Sequence, residues 1–200
     1  MTRIIAGSAR GRRLAVPPGS STRPTSDRAR EGLFATTLAI RGTLAGAAVL
    51  DLYAGSGAVG LEALSRGAAD ALLVESDVRA AAVIRDNIAA VGLAGARLVT
   101  DRVDRALSRG PGYQRCRDFV FADPPYAASD AELERMLHAL LGGGWLAPSA
   151  LVCMERATRS GPPPWPPGYA ADRCRRYGEA SLWYGLAAGD EPAPASSAGG

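Results

Sequence analysis

A chain of 200 residues, 47% of them hydrophobic, is long enough for one main domain with a sizeable core plus appendages, and it has no apolar run near the roughly 20 residues of a membrane span. Cys116, Cys153 and Cys174 are odd in number, widely spaced and without a C-x-x-C pair, which argues for reduced thiols over a metal or disulfide framework. The net charge of +3 is unevenly spread: every basic residue is an arginine, and Arg3, Arg10, Arg12, Arg13, Arg23, Arg28 and Arg30 crowd the first thirty positions against one acid, Asp27.

Such a basic arm on a nearly neutral body is the footprint of a phosphate-backbone partner, an ordinary solvated charge run being the alternative. Met1 to Gly7 carry no secretory apolar stretch, so a cytoplasmic protein is expected. Arg3–Ala6 and Arg12–Val16, joined through Gly7, Ser8 and Gly11, read as a small hairpin carrying the arginines. After the Pro17 to Ser21 loop, Thr25, Ser26 and Asp27 offer N-cap oxygens for a helix running to near Ile40. Its apolar face is Ala29, Leu33, Phe34, Thr37 and Leu38, and its first turns are expected to expose Arg28 and Arg30 beside the hairpin. Residues 1–45 therefore form an N-terminal module.

From Ala47 strands and helices alternate, which predicts a parallel sheet with helices on both faces across residues 46–186. Val49 to Leu52 is a buried strand that breaks into a turn with Gly55, Gly57 and Gly60 and continues as a helix. That spacing lets backbone approach a ligand and seats a helix N-terminus behind it. Asp51 at the strand end would repel a pyrophosphate and hold a cationic ligand, favouring S-adenosylmethionine over a nicotinamide cofactor. Ala71–Val74 is the second strand. The Glu75 that follows, about 20 residues past the first glycine, is placed to bond a ribose diol. Next come a helix from Val78 to Val91 closed by Gly92, a strand over Ala96–Thr100, and a loop at Asp101 to Asp104 where an adenine ring could lie. Residues 108–117 read as loop.

Asp118 to Ala122 is a buried strand ending in Asp123-Pro124-Pro125-Tyr126. Two prolines with fixed φ make a stiff turn that presents a carboxylate, the Pro124 carbonyl and an aromatic face together. That set suits alkylation of a planar amine: two acceptors grip its N–H bonds and localise the nitrogen lone pair, while the ring stacks on the flat substrate. A helix over Ala131–Leu141, a strand at Leu151–Met154, a proline-rich loop at 160–168 and a closing hairpin (Arg173–Tyr177 and Ser181–Leu186) complete the domain. Residues 187–200 have no apolar face and are expected to be disordered. His138 is the only histidine, so neither a histidine-based triad nor a multi-histidine metal site can be built.

The arm (Arg3-Ile4-Ile5-Ala6-Gly7, Arg10-Gly11-Arg12-Arg13-Leu14 and Arg23-Pro24-Thr25 through Arg30-Glu31), with Asp51 to Gly57 and Asp123 to Tyr126, resembles the RsmD-type bacterial 16S ribosomal RNA guanine-N2 methyltransferases. The likeness runs to about Leu186. It implies a Rossmann-like class I methyltransferase fold with a mostly parallel seven-stranded sheet, S-adenosylmethionine as donor, no metal, and a guanine of 16S rRNA in the small subunit or an assembly intermediate as substrate. By motif it carries over Asp51, Tyr53, Gly55, Ser56, Gly57 and Glu75 as cofactor contacts and Asp123 to Tyr126 as the catalytic turn; Ala54, Ser76, Asp101 and Arg102 are expected beside them, although Asp101-Arg102-Val103 departs from the small residue or Asn-Ala pair usual in related enzymes. Arg10, Arg12, Arg13, Arg23, Arg28 and Arg30 are the expected RNA contacts, and a monomer is expected. The alternatives are a DNA adenine-N6 methyltransferase, an NAD-dependent oxidoreductase, and a non-catalytic rRNA-binding assembly factor.

Overall fold

A computed structural model describes residues 2–18, 27–112 and 115–188. The chain opens on an antiparallel pair, β1 (Thr2–Arg3) and β2 (Arg13–Leu14), shorter than the sequence suggests because Ile5, Ala6, Ser8 and Ala9 give their amides to α2, while Ile4 still bonds Gly11 and Arg12 across the hairpin. Helix α1 (Asp27–Arg41) follows. The main sheet comprises β3 (Ala48–Leu52), β4 (Asp70–Glu75), β5 (Ala96–Thr100), β6 (Arg117–Ala122), β7 (Leu146–Ala157), β8 (Tyr169–Tyr177) and β9 (Ala180–Ala187), in the order β5-β4-β3-β6-β7-β9-β8. The first five pair in parallel, while β9 is antiparallel to both of its neighbours. Helices α2 (Ala58–Ser65), α3 (Val78–Val91), α4 (Val103–Ser108) and α5 (Asp130–Gly142) connect the parallel strands.

Two apolar layers follow from strand alternation. Val49, Leu73, Phe119, Phe121, Leu151 and Cys153 face α1, α2, α3 and the hairpin, sharing one core with Ile4, Leu14, Leu33 and Phe34. Leu50, Leu72, Val120, Val152 and Met154 face α4 and α5. Burying both faces requires the near-continuous apolar strands that the sequence contains. Asp77 caps α3 by accepting from the Arg79 and Ala80 amides, and Gly92 ends the helix at φ 62°. Ser129 and Glu132 form a capping box on α5.

Three details differ from the sequence reading. Residues 103–108, of which 103, 104 and 108 were expected as loop, form α4; Leu107 and Ala106 are buried, and the Leu107 carbonyl accepts from the Trp145 indole. Strand β7 extends well beyond Leu151–Met154, and β9 runs to Ala187, which pairs with Tyr169. Residues 189–200 lie outside the described residues.

The hairpin turn is welded to the far end of the sheet from the strand termini that carry Asp51 and Asp123. The buried Glu62 carboxylate accepts the Ile5 and Ala6 amides at 2.6 and 2.9 Å. Ser65 Oγ accepts from the Ala9 amide and donates to the Ala6 carbonyl. A side chain at Gly7 (φ 82°) would overlap the Ser65 carbonyl oxygen. Arg12 donates to the Ala90 and Val91 carbonyls that end α3. Both α2 and α3 run down to the strand N-termini, so residues 5–12 sit there too.

Candidate active site

The carboxyl ends of β3, β4, β5 and β6 converge, the place where an open parallel sheet binds ligands. Asp51, one residue from the carboxyl end of β3, is buried, and its Oδ2 accepts the Gly60 amide at 2.9 Å. Burial pushes its carboxyl up to about 7; the Gly60 N–H opposes that rise, and Glu75 adds to it. Glu75 spans the mouth of the turn, its Oε2 accepting from the Gly55 amide and its Oε1 from the Asp77 amide, each at 2.8 Å. Both acids thus brace the glycine turn. The sequence suggested only ligand contacts for them.

The turn is tight by necessity. Gly57 has φ 75°, and a Cβ there would lie 2.8 Å from Leu73 Cδ2. Gly60 is boxed in by Leu73 and Asp51 at 3.1–3.3 Å. Tyr53 has φ 60°, unusual for an aromatic residue, and its half-buried ring reaches Met136 on α5. The Ser56 carbonyl accepts from Asn87 Nδ2, and the same buried amide bonds the Ala15 amide and carbonyl behind the arm.

Beside the turn lies a cavity of about 580 Å³ lined by Tyr53, Ser76, Arg102, Val103, Pro125 and Met136, among others. Its size falls within the usual range for small-ligand sites. Asp51, Ala54, Gly55, Ser56, Gly57, Glu75 and Asp101 do not line it. The Asp101 carboxylate is taken up by the Arg102 amide and the Arg109 guanidinium, and Arg102 is paired with Asp104 at 3.0 Å.

Asp123 follows β6, and its amide continues the pairing by donating to the Leu52 carbonyl at 3.3 Å. Register puts Ala122 opposite Met154, so Asp123 stands beside Glu155 on the face that also carries Asp51. Burial, then the neighbouring Glu155 and Asp51, raise the Asp123 carboxyl well above the ordinary carboxylate range. Glu155 is itself buried. The sequence reading passed it over, although period-2 spacing from Leu151 and Cys153 places an acid at that strand end. Pro124 is buried, Pro125 is exposed and lines the cavity, and the Pro125 carbonyl closes the turn on the Ala128 amide at 2.8 Å. Tyr126 is 57% exposed, so its ring is open to a stacking partner.

The arginines divide. Arg10, Arg13 and Arg28 are exposed, and Arg23 lies outside the described residues. Arg12 is engaged at the end of α3, and the hairpin turn puts it with Arg10 at the sheet end opposite Asp123. Arg30, expected at the surface, is 1% exposed. Its guanidinium bonds Thr2 Oγ1, the Arg3 carbonyl and Asp27, locking the arm to α1 and leaving none of its charge for an RNA phosphate.

Comparison with known proteins accounts for this combination of parts. The family model described as "Conserved hypothetical protein 95" matches residues 2–185. "Ribosomal RNA small subunit methyltransferase D" of Escherichia coli (strain K12) is 38% identical over 172 residues, 86% of this chain and 82% of the relative. The chain belongs to this methyltransferase D family. Among solved structures, "Putative methyltransferase yhhF from Escherichia coli" superposes with a TM-score of 0.81 at 37% identity, covering 94% of this chain and 98% of that one. A putative methyltransferase complexed with SAH shares the fold (TM-score 0.63, 15% identity), covering 76% of this chain and 48% of the other. Among the described residues of this family member, no helix is long and apolar enough to cross a membrane, and no group of three or more His, Cys, Asp or Glu is placed to hold a metal.

Proposed function

We propose that this methyltransferase D family member transfers a methyl group from S-adenosylmethionine to the exocyclic N2 amine of a guanine in small-subunit rRNA. The observation that carries the reading is the Asp123-Pro124-Pro125-Tyr126 corner, with its acid on the sheet face that carries Asp51 and its phenol ring exposed.

The residues present fit the cofactor. A cavity of about 580 Å³ beside the glycine turn, with Ser76, Arg102, Asp104 and Glu132 among its lining, suits a nucleoside with an amino-acid tail. Tyr53, Ala54, Gly55, Ser56, Gly57, Glu75, Ser76, Asp101 and Arg102 would hold it, with Asp51 supporting the turn. When bound, S-adenosylmethionine would supply a methyl group on a positively charged sulfur, whose carbon–sulfur bond breaks as the nitrogen–carbon bond forms, leaving a neutral thioether. The protein's part is positioning. Asp123 and the Pro124 carbonyl accept the two amine N–H bonds, which turns the nitrogen lone pair out of conjugation with the ring. Tyr126 stacks on the base, a contact of roughly 1–3 kcal/mol. Once the N–C bond has formed, the nitrogen is acidic and gives one proton to the Asp123 carboxylate. An acid raised by burial is a better acceptor for that proton than an ordinary surface carboxylate. A ribosomal substrate also implies a cytoplasmic site of action.

The test supplies labelled S-adenosylmethionine and small subunits from a strain lacking the enzyme, then separates the nucleosides. Label in N2-methylguanosine is expected. Label in a methylated adenine or cytosine would overturn the guanine reading.

A further inference from the structure

If the target base enters at Tyr126, the adjoining phosphates need cations at the carboxyl end of the sheet. The hairpin turn with Arg10 and Arg12 is at the other end. A different set of arginines is at the right end.

Register builds a row across the sheet. Asp123 is level with Glu155 on β7, Glu155 pairs with Leu182 on β9, and Leu182 pairs with Arg175 on β8. Three strand spacings put Arg175 roughly 14 Å from Asp123. β8 runs parallel to β7 and so ends at the same rim, where Tyr177 packs against Gly32 of α1. Helix α1 starts at this rim, since its last residue, Arg41, bonds the Asp118 carbonyl at the opposite end. Arg28 therefore stands one turn above the Gly32 contact. The 3-10 turn at Thr158–Ser160 is tied to the β8–β9 turn through the Thr158 amide and the Glu179 carbonyl at 2.7 Å, and it carries Arg159. Arg159 and Glu179 both act electrostatically on Tyr126.

Arg176, next to Arg175 on β8 and paired with Ser181, lies at the same rim on the opposite face of the sheet. Arg28, Arg159, Arg175 and Arg176 are all exposed, and none forms an ion pair with a described carboxylate, unlike Arg30, Arg66, Arg97 and Arg156. Exposed acids share the rim with these four cations: Glu31, Glu179 and, each bonded to a buried arginine, Asp27 and Asp130.

We propose that the rim formed by Arg28, Arg159, Arg175 and Arg176 is the RNA-backbone track of this enzyme, holding the phosphates that flank the base on Tyr126. The inference rests on the rRNA methyltransferase reading and locates its substrate. Its test measures binding of unmodified small-subunit rRNA against salt concentration, with the chain saturated in S-adenosylhomocysteine. Each lost phosphate contact removes about 0.7–0.9 from the log–log slope. The variant R28A/R159A/R175A/R176A is expected to lose at least tenfold in RNA affinity and about two or more in slope, and to raise the KM for RNA. Its affinity for S-adenosylhomocysteine should match wild type, which also certifies its fold. R10A is expected to change the slope by less than one. An unaltered slope in the quadruple variant of a chain that methylates rRNA would overturn the track alone, as would a larger loss in R10A. A wild-type chain that neither binds nor methylates the RNA would overturn the functional reading, and the track with it.

Discussion

At the residue scale the site turns on carboxylates with unequal surroundings. Asp123 is raised by burial first and by the charge of Glu155 second. The amine-gripping role needs Asp123 ionised, so kcat/KM should climb with pH along a limb lying above the ordinary carboxylate range. Glu155→Gln removes a like charge and should move that limb to lower pH, measured as single-turnover rates from pH 5 to 9. A limb that stays in place would detach Glu155 from the chemistry. Asp51 allows a stability test. Its folded value of about 7 lies above its unfolded value, so the buried neutral acid is tolerated below the ordinary carboxylate range and stability is lost as pH rises toward about 7. Asp51→Asn escapes that loss. The melting temperature of the variant relative to wild type should therefore rise between pH 5 and 8, by an amount worth roughly 2–3 kcal/mol. A flat difference would mean that Asp51 is ionised throughout.

At the element scale the glycine turn and the arm are the parts under most constraint. Gly57→Ala places a Cβ at φ 75° against Leu73, so a loss of roughly 1–3 kcal/mol in urea unfolding is expected, together with about tenfold weaker S-adenosylhomocysteine binding by calorimetry. Arg30→Met breaks the buried contacts to Thr2, Arg3 and Asp27 and should cost roughly 2–4 kcal/mol while leaving the salt slope of RNA binding unchanged. A shallower slope without destabilisation would return Arg30 to the RNA interface. The burial of Arg30 was in fact legible: it lies three, four and seven positions before Leu33, Phe34 and Thr37, on the same stripe, and only the habit of placing arginines in water hid it. Helix α4 was harder to see, six residues with neither a capping side chain nor a long apolar period.

For the whole molecule, the parallel sheet, the order of its motifs and the corner at Asp123 could all be read from strand-sized apolar runs ending in Gly or Pro. What could not be read was the seat of the hairpin. It depends on the Glu62, Ser65 and Asn87 side chains meeting backbone amides more than fifty residues away, and no local pattern announces such bonds. The consequence is functional, because it moves the turn arginines away from the site and leaves the rim of α1 and β8 as the charged surface beside it. The account as a whole stands on Asp123 as the group that grips the amine. The most direct measurement is single-turnover methylation of unmodified small subunits by Asp123→Ala, with S-adenosylhomocysteine affinity determined on the same preparation. The account predicts a rate lower by at least a hundredfold at unchanged cofactor affinity. A rate within a few-fold of wild type would contradict it.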